Sequence, residues 1–148
     1  MTTILILCRA NSSRSQMAQG FLSQLAGDRL RVLSAGTSPL GYIHPLAIKV
    51  MAEIGIDISG QGCHHVSEYL NEPVDVVATV CEEALENCPV FPPHVRRYHW
   101  RYTDPAAFEG SEEDALDLFR KVRDQIQVVT EAYLFAGRQG GELGRLSE

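Results

Sequence analysis

The apolar residues of this chain form short continuous runs that alternate with stretches of helical periodicity. Continuous apolar runs are typical of strands in a parallel sheet buried on both faces, whereas apolar residues three or four positions apart indicate helices. This pattern predicts strands at residues 3–7, 30–34, 74–80 and 97–100. It predicts helices at residues 16–26, 45–54, 82–87 and 111–137. Strands and helices therefore alternate along almost the whole chain.

This alternation predicts an α/β fold. We expect a single domain over residues 1–137, with a four-stranded parallel sheet, helices on both faces and right-handed crossovers. Residues 138–148 are polar and rich in glycine, and we expect them to form a flexible C-terminal tail. Ligands of such folds bind at the carboxyl ends of the strands. Because Cys8 follows the first predicted strand and Cys81 follows the third, both thiols are expected at this edge.

Composition and charge narrow the classes to which the protein can belong. The 148 residues, 45% of them hydrophobic, fit a single compact core. No apolar run reaches the roughly 18 residues of a membrane span, and the formal net charge of -6 disfavours binding to nucleic acids or anionic membranes. The N-terminal residues lack the pattern of a secretory signal, and the four cysteines then suggest redox or catalytic use. We expect a cytoplasmic, monomeric protein.

The polar segment 8–15, between the first strand and the first helix, has the features of an oxyanion-binding loop. Its backbone N–H groups can converge on an anion, and the following helix adds its positive end. The planar Arg14 guanidinium can bind two oxyanion oxygens, and the same field favours the nucleophilic thiolate of Cys8. We expect Ser15 to hydrogen-bond the sulfur and Asn11 to brace the loop. The predicted oxyanion-binding residues are Arg9, Ala10, Asn11, Ser12, Ser13 and Arg14.

Two further thiols, Cys81 and Cys88, flank a segment of good helix formers that Pro89 ends. Seven residues of helix separate the two positions by roughly 10 Å, whereas a disulfide needs Cα atoms within about 7 Å. A bond between these cysteines therefore requires the helix to unwind. Such a reversible disulfide suits the transfer of oxidation to a reductant. The alternative interpretation is a pair of inert cytosolic thiols on a loop.

The cysteines do not have the spacing of a metal site. Structural zinc sites place two to four residues between paired cysteines, and six residues separate Cys81 from Cys88. The neighbouring Cys63, His64 and His65 point in different directions, so we interpret them as part of a loop with an incidental thiol. We expect no cofactor, and no metal at these cysteines and histidines.

The motifs resemble those of a known family. Cys8-x5-Arg14-Ser15, followed by Gln-Met-Ala, is similar to the loop of low-molecular-weight tyrosine phosphatases and of the arsenate reductases built on the same fold. The Cys-x6-Cys pair followed by proline is similar to the thiol pair of thioredoxin-coupled arsenate reductases. The family usually has glycine where Ala10 stands, and alanine tolerates positive φ poorly. We therefore expect the backbone at Ala10 to differ or to be strained.

The resemblance also assigns a role to Asp104. The family places its general acid in an Asp-Pro loop, and Asp104-Pro105 is the matching pair. A carboxylic acid held over the oxyanion can protonate the departing oxygen. Phosphatases of the family usually continue with aromatic residues that hold the substrate, whereas Ala106 and Ala107 follow here. This difference favours a small inorganic substrate.

The resemblance implies reduction of arsenate to arsenite, with phosphate or sulfate as competing oxyanions. Cys8 attacks arsenate, Cys81 attacks the Cys8 sulfur, and Cys88 then takes over the disulfide, which thioredoxin reduces. Two alternatives remain open. One is a phosphatase, which needs only Cys8, Arg14 and Asp104. The other is a non-catalytic, oxyanion-binding redox sensor that uses the same thiols without turnover.

Overall fold

The computed structural model describes residues 1–138, so the predicted tail beyond Arg138 lies outside the described residues. Four strands are present: β1 (Thr2–Cys8), β2 (Leu30–Gly36), β3 (Val76–Thr79) and β4 (Arg96–His99). Four α-helices accompany them: α1 (Arg14–Ala26), α2 (Pro45–Ala52), α3 (Glu82–Glu86) and α4 (Glu112–Arg138). Within residues 1–138, no helix is both long enough and apolar enough to cross a membrane.

The strands form one parallel sheet in the order β2-β1-β3-β4. Leu5 of β1 pairs with Leu33 on one side and Val77 on the other. The four central residues of β1, 4–7, are fully buried, as expected of a continuous apolar run between two covered faces. The chain crosses from β1 to β2 and returns to β3 on the other side of β1. The carboxyl ends of β1 and β3 therefore meet at a topological switch point, where ligands bind in such folds.

Helices cover opposite faces of the sheet at β4. Tyr133 of α4 packs edge-on against Tyr98 and Trp100, with ring centroids 5.8 Å and 5.5 Å away. Successive strand residues point to opposite faces, so Arg97 and His99 face the other way. There they line a cavity together with Leu85 and Cys88 from the α3 region. The predicted four-stranded parallel α/β fold with helices on both faces is confirmed.

Several element boundaries differ from the predicted ones. β2 continues through Ala35 and Gly36, where a loop was predicted from residue 35, because these residues pair with Leu7 and Cys8 of β1. Gly36 N also donates a hydrogen bond to His64 O at 2.8 Å. A Cβ at Gly36 would collide with the Arg9 carbonyl oxygen and lie 3.0 Å from Asn11 N. Glycine at this position therefore lets the loop after β1 pack directly against β2.

The helix boundaries shift by one or two residues at most. α1 begins at Arg14 instead of residue 16, and α2 ends at Ala52 instead of residue 54. The predicted cap of α4 is confirmed, since Ser111 Oγ accepts a hydrogen bond from Asp114 N at 3.1 Å. β3 covers only residues 76–79 of the predicted 74–80. Val80 N still donates a hydrogen bond to Leu7 O of β1 at 2.9 Å, which keeps the following Cys81 near the end of β1.

Candidate active site

The loop after β1 turns its carbonyl oxygens outward. The carbonyls of Cys8, Arg9, Ala10 and Ser12 accept backbone hydrogen bonds from Thr37, Ser38, Leu40 and His44, at 2.8–3.1 Å. The backbone N–H groups of Ala10 and Arg9 act on the Cys8 sulfur and help to lower the pKa of its thiol. Cys8 itself is buried at the end of β1. The loop thus surrounds the sulfur with N–H donors, which is the arrangement that binds and stabilises anions.

Asn11 holds the loop in this shape from inside. It is fully buried and adopts a left-handed backbone with φ of 50°, which asparagine tolerates better than most residues. Its Nδ2 donates to Ser15 Oγ and Ser34 Oγ, each at 2.9 Å, and its Oδ1 accepts from His64 N at 2.8 Å. The expectation of backbone strain at Ala10 is wrong, because the loop places its positive φ at Asn11 instead.

Ser15 lies behind the loop in the first turn of α1 and is fully buried. Its hydroxyl oxygen accepts from Asn11 Nδ2, which leaves the hydroxyl proton available for a second partner. The predicted hydrogen bond from Ser15 to the Cys8 sulfur stays a prediction.

Arg14 is the first residue of α1, and its guanidinium is nearly buried. Nη1 donates to the carbonyl oxygen of Tyr102 at 3.2 Å, and Nη2 lies 3.5 Å from Asp104 Oδ2. Nε is buried and has no hydrogen-bond partner among residues 1–138. Because buried donors in native structures are almost always paired, this free N–H is best suited to a bound oxyanion.

Cys81 is the residue that sets the ionisation of Cys8. Its thiol donates a hydrogen bond to the Cys8 sulfur, and this is the main reason that the pKa of Cys8 is lowered to about 6. The Arg14 charge and the N–H groups of Ala10 and Arg9 act in the same direction, and burial opposes them. Cys8 is therefore a thiolate at neutral pH.

The same contact has the opposite effect on Cys81. The hydrogen bond to Cys8, burial and the negative charge of Cys8 raise the pKa of Cys81 far above that of an ordinary thiol. The N–H of Ala84 donates to Cys81 Sγ at 3.4 Å and counteracts this rise. Cys81 is thus both the N-cap of α3 and the thiol next to the nucleophile.

Cys88 lies two residues beyond the end of α3, at the opposite end of that helix from Cys81. It is partly buried beside a cavity of about 800 Å³, and burial raises the pKa of its thiol. All four cysteines are unpaired thiols. The structure therefore brings Cys8 and Cys81 together and keeps Cys88 apart. The helix predicted between Cys81 and Cys88 is present but spans only five residues.

Asp104 lies on the Arg14 side of the site. Its Oδ1 accepts a hydrogen bond from Ala106 N at 3.0 Å, which caps the short 3₁₀ turn Pro105–Ala107. Its Oδ2 faces Arg14, and its side chain is 41% exposed. A carboxyl group in this position is close to the oxyanion loop and open to solvent for proton exchange, as a general acid requires.

The contacts of Gln16 and Cys63 that support the oxyanion loop were not predicted from the sequence. Gln16 Nε2 donates to Asn11 O at 2.9 Å and to Gly62 O at 2.7 Å. Cys63 Sγ accepts a hydrogen bond from Gly41 N at 3.3 Å and donates one to Ala10 O at 3.5 Å. The only sequence signal was a polar Gln16 on the buried side of a helix. Cys63 is in a loop as predicted, but that loop contacts the oxyanion loop.

Among residues 1–138, no cluster of three or more His, Cys, Asp or Glu side chains could hold a metal ion.

Comparison with known proteins places this site in a family. The model of the low molecular weight phosphotyrosine protein phosphatases matches residues 3–139. The arsenate reductase of Bacillus subtilis (strain 168) is 45% identical over 123 residues, which cover 83% of this chain and 88% of that protein. A solved structure of an arsenate reductase in the phosphate-binding state has a TM-score of 0.73 at 34% identity, covering 93% of this chain and 98% of the other.

A further solved structure is that of the thioredoxin-dependent arsenate reductase of Corynebacterium glutamicum. It has a TM-score of 0.67 at 25% identity and covers 92% of this chain and 63% of the other. The family match spans nearly the whole chain and includes the loop of Cys8 and Arg14. The chain therefore belongs to the low molecular weight phosphotyrosine protein phosphatase family, and within it is similar to arsenate reductases.

Proposed function

We propose that the protein reduces arsenate to arsenite, using Cys8, Cys81 and Cys88 in sequence and a thioredoxin-like protein as final reductant. The observation that carries this proposal is the position of the buried Cys81 thiol beside the Cys8 sulfur, where the paired strands β1 and β3 end and where Cys81 lowers the pKa of Cys8. A phosphatase needs one thiolate, whereas a reductase needs a second thiol in contact with the first. The names of the relatives agree with arsenate as the substrate.

The first step is attack of the Cys8 thiolate on arsenic. The loop N–H groups and the Arg14 guanidinium bind the arsenate oxygens and the charge that develops on them. Asp104 protonates one oxygen, which leaves as water. The product is arsenic(V) bound to the Cys8 sulfur. No electrons have yet been transferred to arsenic.

The second step belongs to Cys81. Once the Cys8 sulfur is bonded to arsenic it no longer carries a negative charge, so the main cause of the raised pKa of Cys81 disappears. The N–H of Ala84 then stabilises the Cys81 thiolate. Cys81 releases its proton to solvent and attacks the Cys8 sulfur. The sulfur–arsenic bond breaks, and its electron pair stays on arsenic, which leaves as arsenite. This coupling keeps Cys81 protonated until the substrate has been attacked.

The third step moves the disulfide to the surface. The Cys88 thiolate attacks Cys81, and Cys8 leaves as a thiolate in the loop that stabilises it. The helix α3 must unwind for this step, because it separates the two cysteines. A dithiol reductant of the thioredoxin type then returns two electrons and two protons to Cys81 and Cys88. The cycle restores the starting protein.

Arsenite formation with reduced thioredoxin, measured beside hydrolysis of an aryl phosphate, tests the proposal. We expect many arsenite molecules per protein and loss of this activity in Cys81→Ala. Phosphate hydrolysis by that variant should continue at a pH above the raised pKa of its Cys8. Phosphate hydrolysis without arsenite formation would identify a phosphatase, which the arrangement of Cys8, Arg14 and Asp104 also permits. A single arsenite per protein in the presence of reductant would indicate a redox sensor.

A further inference from the structure

The helix α3 is attached to the rest of the protein by few apolar contacts. Only Ala84 of its five residues is buried, and Leu85 is 46% exposed. The cavity of about 800 Å³ lies beside it, between Leu85, Cys88 and the side chains of β3 and β4. A helix this short is not stable on its own. Polar contacts must therefore contribute to its position.

Those contacts come from its first two residues. Glu83 Oε2 lies 2.9 Å from Nε of Arg9, which belongs to the oxyanion loop. Glu82 pairs with the Arg101 guanidinium and lies 3.5 Å from Nε2 of His99. The start of α3 is thus joined to the oxyanion loop on one side and to the end of β4 on the other. Both carboxylates immediately follow Cys81.

We propose that Glu82 and Glu83 are positioning residues that hold α3 in its helical form, keeping Cys81 against Cys8 and slowing transfer of the disulfide to Cys88. This inference rests on the relay proposed above. In the transfer, a Cys88–Cys81 bond forms, the Cys8–Cys81 bond breaks, and its electron pair leaves on the Cys8 sulfur while the Cys88 proton passes to solvent. Neither glutamate exchanges electrons or protons. Both determine how often α3 opens far enough for Cys88 to reach Cys81.

The size of the effect follows from the exposure of these pairs. Exposed ion pairs of this kind each change an opening equilibrium by about 1.5- to 5-fold. Because salt at about 1 M reduces the range of such interactions to roughly 3 Å, it should accelerate the transfer in the wild-type protein. If the glutamates stabilised α3 only through packing or helix propensity, this salt dependence would be absent.

The transfer is measured in protein treated with arsenate but no reductant, quenched with acid at successive times. Peptide mass spectrometry then quantifies the Cys8–Cys81 and Cys81–Cys88 disulfides. The variants are Glu82→Gln and Glu83→Gln, which keep the side-chain shape and nearly the same helix propensity. Glu86→Gln is the matched control, since Glu86 is on the same helix and forms no ion pair with the residues that the structure describes.

We expect about 1.5- to 5-fold faster transfer in Glu82→Gln and in Glu83→Gln, and no change in Glu86→Gln. Salt should accelerate the wild type and the control more than either Glu82→Gln or Glu83→Gln. The amount of arsenite released in the first turnover should stay the same. Equal transfer rates in all four proteins would overturn the positioning role.

Hydrogen exchange in the reduced proteins separates this inference from the relay itself. The α3 amides should exchange faster in Glu82→Gln and Glu83→Gln than in the control, whether or not a disulfide forms. Faster α3 amide exchange in these variants, together with the absence of a Cys81–Cys88 disulfide in oxidised wild type, would overturn the relay. It would still support stabilisation of α3 by the two glutamates. Unchanged α3 amide exchange in the variants, with the Cys81–Cys88 disulfide present in oxidised wild type, would overturn the positioning role of the glutamates. The relay would not be affected.

Discussion

Cys8 and Cys81 have identical side chains, but the contact between them shifts their pKa values in opposite directions. The Cys81 thiol donates to the Cys8 thiolate, which lowers the pKa of Cys8 and raises that of Cys81. The N–H groups of the oxyanion loop stabilise the charge on Cys8. Two thiols in contact can therefore act in a fixed order without a separate base.

Removing the donor should change the titration of Cys8. In Cys81→Ala the pKa of Cys8 should rise, because its largest stabilising contact is lost. Cys81→Ser keeps a hydroxyl donor and should show a smaller rise. The measurement is the pH dependence of Cys8 alkylation, followed by peptide mass spectrometry, with arsenate or sulfate as protecting ligands. An unchanged alkylation profile in Cys81→Ala would show that the loop alone ionises Cys8.

The Arg14 guanidinium should not be replaceable by another cation. Its Nη1 and Nη2 face Tyr102 O and Asp104, and its Nε is free for the oxyanion. A lysine ammonium cannot satisfy these three directions at once. We expect Arg14→Lys to lose on the order of a hundredfold or more in kcat/KM for arsenate. Turnover close to that of the wild type would remove Arg14 from the mechanism.

At the scale of elements, α3 is the part of the fold whose opening the relay requires. It separates Cys81 from Cys88, it is short, and most of its residues are exposed. Segments with few buried contacts open at low free energy, and proteins often use such segments for conformational change. β1 and the oxyanion loop, by contrast, are buried and heavily hydrogen-bonded. The mobile and the rigid parts of the mechanism thus lie on different elements.

Replacing Cys88 should stop the relay after its second step. In Cys88→Ser we expect one arsenite per protein and then a stall, even with reduced thioredoxin, because the Cys8–Cys81 disulfide is buried. Mass spectrometry should find that crosslink in the stalled protein. Oxidised wild-type protein should instead contain Cys81–Cys88 and lose helical circular dichroism. Continuous turnover by Cys88→Ser would leave a mechanism with only two thiols.

The sequence predicted those features that local patterns determine. Continuous apolar runs located the four strands, and the loop from Cys8 to Arg14 was recognisable from its spacing alone. The proximity of Cys8 and Cys81 followed from the shared edge of parallel strands. The contacts of Asn11 with Ser34 and His64 were not predictable, because they join segments 23 and 53 residues apart. Such contacts leave no periodic signal in the chain.

At the scale of the whole molecule, one edge of the sheet holds the residues of the proposed reaction. β1 ends at Cys8, β3 ends shortly before Cys81, and the chain after β4 supplies Asp104. The parallel arrangement brings these three ends together although they are far apart in sequence. Ionisation of the site is therefore linked to folding, since none of these contacts exists in the unfolded chain.

This linkage predicts how stability changes with pH. The folded pKa of Cys8, about 6, lies below the unfolded value of a thiol, about 8.5, so the unfolded chain binds more protons between these values. The free energy of unfolding should rise with pH in this window, by at most about 1.4 kcal/mol per pH unit and about 3 kcal/mol in total. As pH falls through 6, this contribution should be lost.

Above the unfolded thiol pKa the slope should reverse. The pKa of Cys81 is raised in the folded protein, so the folded state keeps a proton that the unfolded chain releases, and stability falls as pH rises. The difference in unfolding free energy between wild type and Cys8→Ala should therefore peak near pH 8.5. Removing Cys8 abolishes the first effect and the part of the second that comes from Cys8, while burial of Cys81 and the other titrating groups act in both proteins. Urea denaturation of both proteins at several pH values, with a reductant present, measures this difference. A difference that is flat between pH 6 and 8.5 would show that Cys8 is not ionised in the folded protein, and the proposed first step would fail with it.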